Sequence, residues 1–167
     1  MVIDKNYPGL VQGDNGTYRY DGSIETAEDL EINLDGCLLV VGSIKAGGYI
    51  EASGSILAGE CIDAGGPIRA GGSIEAGECI EAGGPIRAGG YILAGEYIEA
   101  SGSIEAGSGI IAWAQISAGS YISVKGRVLA GISPSCPSDK CDKMIRCTEL
   151  RSGEVCYGDL VIIDKEN

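Results

Sequence analysis

Glu60-Cys61-Ile62-Asp63-Ala64-Gly65-Gly66-Pro67-Ile68-Arg69-Ala70-Gly71-Gly72-Ser73-Ile74-Glu75-Ala76-Gly77 is followed at once by Glu78-Cys79-Ile80-Glu81-Ala82-Gly83-Gly84-Pro85-Ile86-Arg87-Ala88-Gly89-Gly90-Tyr91-Ile92-Leu93-Ala94-Gly95. The second stretch repeats the first eighteen residues on, and Gly-Pro-Ile-Arg-Ala-Gly at 66–71 returns unchanged at 84–89. Each stretch divides into three phrases of six: an aliphatic residue, any residue, Ala, a small pair, any residue. Working outward, an aliphatic residue stands at every sixth position from Ile32 to Val128, seventeen times in all. Two residues after each comes Ala, except at Leu34, Val40 and Val124. A fixed short period of this kind is the signature of a solenoid.

Within a phrase, the aliphatic residue and the Ala two later point one way and the residue between them points the other, as in a strand. The small pair that follows is read as a corner, with Gly supplying conformations at positive φ. Two such phrases cannot close a coil and three can. The fold class is therefore all-β: a triangular parallel β-helix of eighteen residues per coil over 32–131. At a strand spacing of about 4.8 Å the hexads alone make about five and a half coils, a prism ~27 Å tall. Residues 1–31, with turn signals at Pro8-Gly9, Asp14-Asn15-Gly16 and Asp21-Gly22, are read as an N-terminal cap. Residues 132–167 are read as a strand-rich C-terminal cap. Alternation at Met144–Leu150 and Glu154–Ile163 predicts strands that close the end or lie back along a face.

The Ile-x-Ala-Gly hexads resemble the hexad β-helices, both the left-handed hexapeptide-repeat proteins and the polymer-forming bactofilins. In the left-handed group the small residue usually precedes the aliphatic one by two, whereas here Ala follows Ile by two. The phrase is thus more similar to that of bactofilins, whose likeness implies a right-handed helix and end-to-end assembly into a scaffold. The Gly-Ser-Ile-Glu-Ala-Gly runs also resemble uncharacterised repeat proteins of bacteria and phages. The resemblance covers residues 32–131 and speaks to architecture, not activity.

Folding the text at eighteen sorts outward residues into columns. One face carries Leu39, Leu57, Glu75, Leu93, Ile111 and Leu129; the second Lys45, Asp63, Glu81, Glu99 and Ser117; the third Glu51, Arg69, Arg87, Glu105 and Ser123. The corner before the second face adds Glu60, Glu78 and Glu96. A flat apolar face rarely stays bare. Leu39, Leu57, Leu93, Ile111 and Leu129 are accordingly read as a self-association face giving a homodimer, with the chain's own tail or a foreign partner as other covers. Stacked like charges cost up to about 1 kcal/mol per pair. Glu60, Asp63, Glu78, Glu81, Glu96 and Glu99 are therefore read as a surface for a basic protein partner, against the plainer reading of a solvated face. Arg69 and Arg87 are expected to pair with neighbouring carboxylates.

Net charge is −12 over 167 residues, with no His. An acidic surface disfavours direct nucleic-acid and membrane contact, and no apolar run approaches the ~20 residues of a membrane helix. Seven cysteines, an odd number, without an export signal point to reduced thiols in the cytoplasm. Cys61 and Cys79 nonetheless stack at a distance that permits a bridge. The tail cysteines Cys136, Cys141, Cys147 and Cys156 lack the C-x2-C knuckles of a zinc site, and no Asp-x-Asp-Gly loop signals Ca²⁺. No metal and no cofactor is expected. Without His there is no imidazole base, no Ser or Cys sits beside a base, and a prism without long excursions builds no pocket, so no enzyme is expected. The leading expectation is a non-enzymatic interaction module. Its concrete form is a phage or mobile-element inhibitor of a host nucleic-acid-targeting defence protein, of anti-CRISPR or anti-restriction type, acting as a nucleic-acid mimic on a nuclease. The alternative is a bactofilin-like self-assembling scaffold.

Overall fold

Every hexad aliphatic from Ile44 to Ile122 is fully buried, and the residue two later, Ala or in the last case Val124, is buried beside it. The computed structural model, which describes residues 1–132 and 143–164 apart from the side chain of Asp14, explains why. Each Ile-x-Ala triplet is a three-residue strand, from Ile44–Ala46 through Ile116–Ala118. Each strand pairs in parallel with the strand one coil on, Ile62 beside Ile80 and Ala64 beside Ala82. Identical side chains therefore stack in columns down a narrow interior. β-Branched Ile suits a pleated surface, and each one fully buried contributes about 1.5–3 kcal/mol. Among the described residues there is no α-helix, only a 3-10 turn at Asp14–Gly16.

Hydrogen bonding continues through the corners. Gly83 N donates to Ala64 O at 2.9 Å, and Glu96 N to Glu78 O at 2.8 Å. The corner glycines do not owe their place to positive φ, as the sequence reading held. Among the described residues positive φ occurs only at Asn15 and at Gly9, Gly16, Gly22, Gly131, Gly153 and Gly158, none of them a corner between hexads. The reason is contact between layers: a Cβ on Gly83 would lie 2.1 Å from the carbonyl oxygen of Gly65 directly beneath it. Backbone stacked on backbone at this distance leaves no room for any side chain.

The acidic face is a sheet eight strands deep. The other two faces form one fifteen-stranded sheet, joined by the strand Tyr121–Ala130, which runs round a corner unbroken. The stack exceeds the hexads because flanking segments join it. Thr17–Tyr20, Ile24–Thr26 and Leu30–Ile32 pair in parallel with Cys37–Val40, Ile44–Ala46 and Ile50–Ala52. Val2–Ile3 adds to Leu30–Ile32, and Leu10–Gln12 folds back antiparallel on Thr17–Tyr20. Met1, Tyr7, Leu10 and Tyr20 pack against the core at this end, with the Tyr7 and Tyr20 rings edge to face at 5.8 Å. At the other end Met144–Cys147 pairs with Ile116–Ala118, Glu149–Tyr157 with Tyr121–Ala130, and Asp159–Ile162 with Met144–Cys147. The tail strands stack on the end of the prism; none of them lies back along a face.

Candidate functional site

The acidic face is built by register. Asp63 pairs beside Glu81 and Glu81 beside Glu99, with Lys45 below and Ser117 above. Along the adjoining corner Glu60, Glu78 and Glu96 stack through backbone hydrogen bonds, Glu78 N to Glu60 O at 3.2 Å and Glu96 N to Glu78 O at 2.8 Å. Six carboxylates thus occupy two columns over three consecutive coils, at about 4.8 Å per layer. None of the six enters an ion pair among the described residues. Two of them, Glu60 and Glu81, accept hydrogen bonds from neutral hydroxyls, and Glu78 Oε2 lies 3.5 Å from Cys61 Sγ. Ser43 Oγ donates to Glu60 at 2.7 Å, and the Tyr97 hydroxyl donates to Glu81. That bond, with partial burial and the charges of Glu81, Glu99 and Glu96, pushes the Tyr97 phenol up to about 12.

Between the two columns a disulfide joins Cys61 to Cys79, with their Cα atoms 4.7 Å apart. This corrects the expectation of reduced thiols for that pair: stacking in register brings their Cβ atoms to the same corner. Cys37, Cys147 and Cys156 are free thiols, and burial raises the Cys147 pKa. Cys136 and Cys141 lie outside the described residues. No group of three or more His, Cys, Asp or Glu is placed to hold a metal among the described residues.

The apolar column is also assembled by register: Leu39, Leu57, Glu75, Leu93, Ile111 and Leu129, continued by Tyr157. Each of Leu39 to Leu129 is half-buried. Val41, Tyr91 and Trp113 are the exposed large hydrophobics of these coils. All three rim this face: Val41 and Trp113 directly follow its strands, and Tyr91 directly precedes one. Glu75, the one charged residue in the column, accepts a hydrogen bond from the Tyr91 hydroxyl at 2.5 Å. Strands at both ends pair edge to edge with the coils, so no described strand crosses the face.

On the third face Arg87 Nε lies 3.1 Å from Glu105 Oε1, as expected. Arg69, also expected to pair, stacks beside Arg87 and Glu51 and makes no ion pair among the described residues. Hydrogen bonds from Tyr121 first, then from Ser103, and the charge and guanidinium hydrogen bond of Arg87, hold the Glu105 carboxyl below the usual carboxylate range.

Sequence reasoning missed one recurring device. Tyr91 donates to Glu75, Tyr97 to Glu81 and Tyr121 to Glu105, sixteen residues apart each time. Each Tyr stands just before a hexad Ile and reaches diagonally to the middle of a strand one coil back. A Tyr-Ile with Ile-x one coil earlier carrying Glu was the signal in the text. No family model, no curated protein and no solved structure matches this chain. No helix among the described residues is long and apolar enough to cross a membrane.

Proposed function

We propose that the chain is a non-enzymatic interaction module that presents its acidic face to a basic protein partner and pairs with a second copy through its leucine face. The observation that carries the reading is the block of six carboxylates on three consecutive coils, free of ion pairs among the described residues. Two columns at about 4.8 Å per layer place one charge per ~2.4 Å of prism axis. Duplex DNA carries one per about 1.7 Å. A groove that binds nucleic acid through Lys and Arg would accept such a surface by the same electrostatics. The concrete form is an inhibitor, encoded by a phage or mobile element, that occupies the nucleic-acid channel of a host defence nuclease. Competition tests it: purified restriction and RNA-guided nucleases, each holding labelled duplex DNA, are titrated with wild type and with Asp63→Lys/Glu81→Lys/Glu99→Lys. Displacement by wild type alone is expected. Displacement that survives the reversal overturns the role of the face, and no displacement by wild type overturns the inhibitor.

A second reading, a self-assembling scaffold, is favoured by one observation: the C-terminal end of the prism presents apolar strand edges.

A further inference from the structure

The two ends of the prism differ. At the N-terminal end the first core positions are closed, Ile3 at 0% exposure and Ile24 at 1%. The hairpin strand Leu10–Gln12 there runs against the coil direction. At the C-terminal end the strand Asp159–Ile162 pairs on one side only among the described residues. Leu160 and Ile162 stand in register over Ile145 and Cys147, both fully buried, yet are themselves 41% and 52% exposed. Val161, on the outward side over Arg146, is exposed too, as is Ile163. A strand apolar on both sides with one edge unpaired is built to be covered. The segments outside the described residues make a poor cover, because Ser133 to Asp142 and Lys165 to Asn167 contain no aliphatic residue larger than Pro and no aromatic one.

We propose that this end is a docking surface whose occupant is the same end of a second copy, related by a twofold axis. The N-terminal end is the poorer complement, although Ile24–Thr26 ends the acidic sheet there with a free edge too among the described residues. Its core is already closed, and its antiparallel hairpin does not continue the parallel register. An open core end is matched by another open core end, and a twofold contact closes after one pairing instead of growing into a filament. Across the axis the two copies of Asp159–Ile162 run antiparallel, which satisfies both free edges. Leu160 and Ile162 of each copy then cover the other's core.

The geometry has a consequence for the acidic face. The strand at the axis belongs to the acidic sheet, and a twofold through the middle of one side of a triangular prism returns that side to itself. Both acidic blocks therefore lie on the same side of one longer prism. Seven layers separate the two Glu99 positions, about 34 Å. The inference stands apart from the leucine-face pairing and survives its failure.

Light scattering behind size-exclusion chromatography tests it on four proteins: wild type, Leu160→Glu/Ile162→Lys, Val161→Lys and Leu57→Glu/Leu93→Glu. Wild type should run as a discrete assembly, and each end variant should halve its mass with an unchanged circular dichroism spectrum. Val161→Lys keeps the test decisive if the double variant disturbs the last layer, because its side chain points away from the core. The leucine-face variant reports the other interface independently. Monomeric wild type overturns the inference, as does a mass that climbs continuously with concentration. A discrete mass that responds only to Leu57→Glu/Leu93→Glu overturns it as well and leaves the leucine face as the interface.

Discussion

The Tyr97 hydroxyl donates a hydrogen bond to Glu81, one coil back and sixteen residues earlier. That bond first, then partial burial and the charges of Glu81, Glu99 and Glu96, raise the phenol's pKa to about 12. Tyr49, bonded to Glu31 at 2.7 Å, is likewise pushed up to about 12. A phenol that holds its proton more tightly folded than unfolded stabilises the fold fully below pH 10. That contribution is lost as pH rises through about 12. Unfolding by urea should therefore become easier between pH 10 and pH 12, and tyrosinate absorbance should show phenols titrating late in the folded protein. Tyr97→Phe should flatten part of this alkaline slope and cost about 0.5–1 kcal/mol at neutral pH.

Glu105 supplies the acid limb with the opposite sign. Its carboxyl is held below the usual range by Tyr121, Ser103 and Arg87, so its stabilisation is present above the ordinary carboxylate pKa. It is lost as pH falls through the lower folded value. Tyr121→Phe should raise the Glu105 pKa toward that of a free carboxylate, measurable by carboxyl carbon NMR, and should shift acid unfolding to higher pH. An unchanged Glu105 titration would refute the hydrogen bond as the main cause.

The corner glycines allow a sharp contrast. A Cβ at Gly83 would stand 2.1 Å from the Gly65 carbonyl oxygen, a backbone atom that cannot move without shifting a coil. Gly83→Ala should destabilise by about 3 kcal/mol or more. At Gly13 the nearest atom to an added Cβ is Thr17 O at 3.5 Å and φ is −93°. Gly13→Ala should change stability by no more than about 0.5 kcal/mol. Equal effects in thermal unfolding would contradict the layer-contact account.

These contrasts also mark what the text could disclose. The eighteen-residue period, the three faces and the Ile/Ala core were legible because side-chain alternation and repeated corners are written at fixed intervals. The distance between layers is not written there, so the sequence points to a φ requirement at the corner glycines where the structure has a contact such as that of Gly83 with Gly65. The tail strands could not be assigned to coils, because Ile116 pairs with Ile145, and Ile145 with Leu160, at separations unlike eighteen. The acidic block and the leucine column needed only register and were read in place. The Tyr–Glu pairs were missed because they cross from one face position to another between coils. Tyr91 is placed beside the leucine face by the period alone, whereas Val41 and Trp113 join it as a rim only through their exposure.

The Cys61–Cys79 disulfide closes an eighteen-residue separation between positions that the coils already hold in register. Its effect should therefore fall mainly on the unfolded chain, at about 3 kcal/mol for a loop of this size. Reduction, or Cys61→Ser/Cys79→Ser, should lower the urea midpoint while leaving the circular dichroism spectrum of the folded state unchanged. Loss of strand content on reduction would mean that the bridge shapes the corner.

Trp113 offers an optical report on the leucine face. It is the sole tryptophan, exposed, and at the rim of the apolar column. If a second copy covers Leu57, Leu93 and Ile111, the indole loses water as the assembly forms, and its emission should shift to the blue with rising concentration. Rim aromatics are frequent anchors of such contacts, so Trp113→Ala should weaken pairing by about 2 kcal/mol, roughly thirtyfold in Kd. Glu75→Leu should act in the other direction. It removes the one charge from the column, together with the hydrogen bond from Tyr91, and should tighten pairing by about tenfold, since desolvating that carboxylate opposes association. Emission that stays constant across a concentration range over which the mass doubles would locate the contact elsewhere. The C-terminal edge would then be the only pairing surface of the two proposed, and the leucine face would remain open to a partner of another kind.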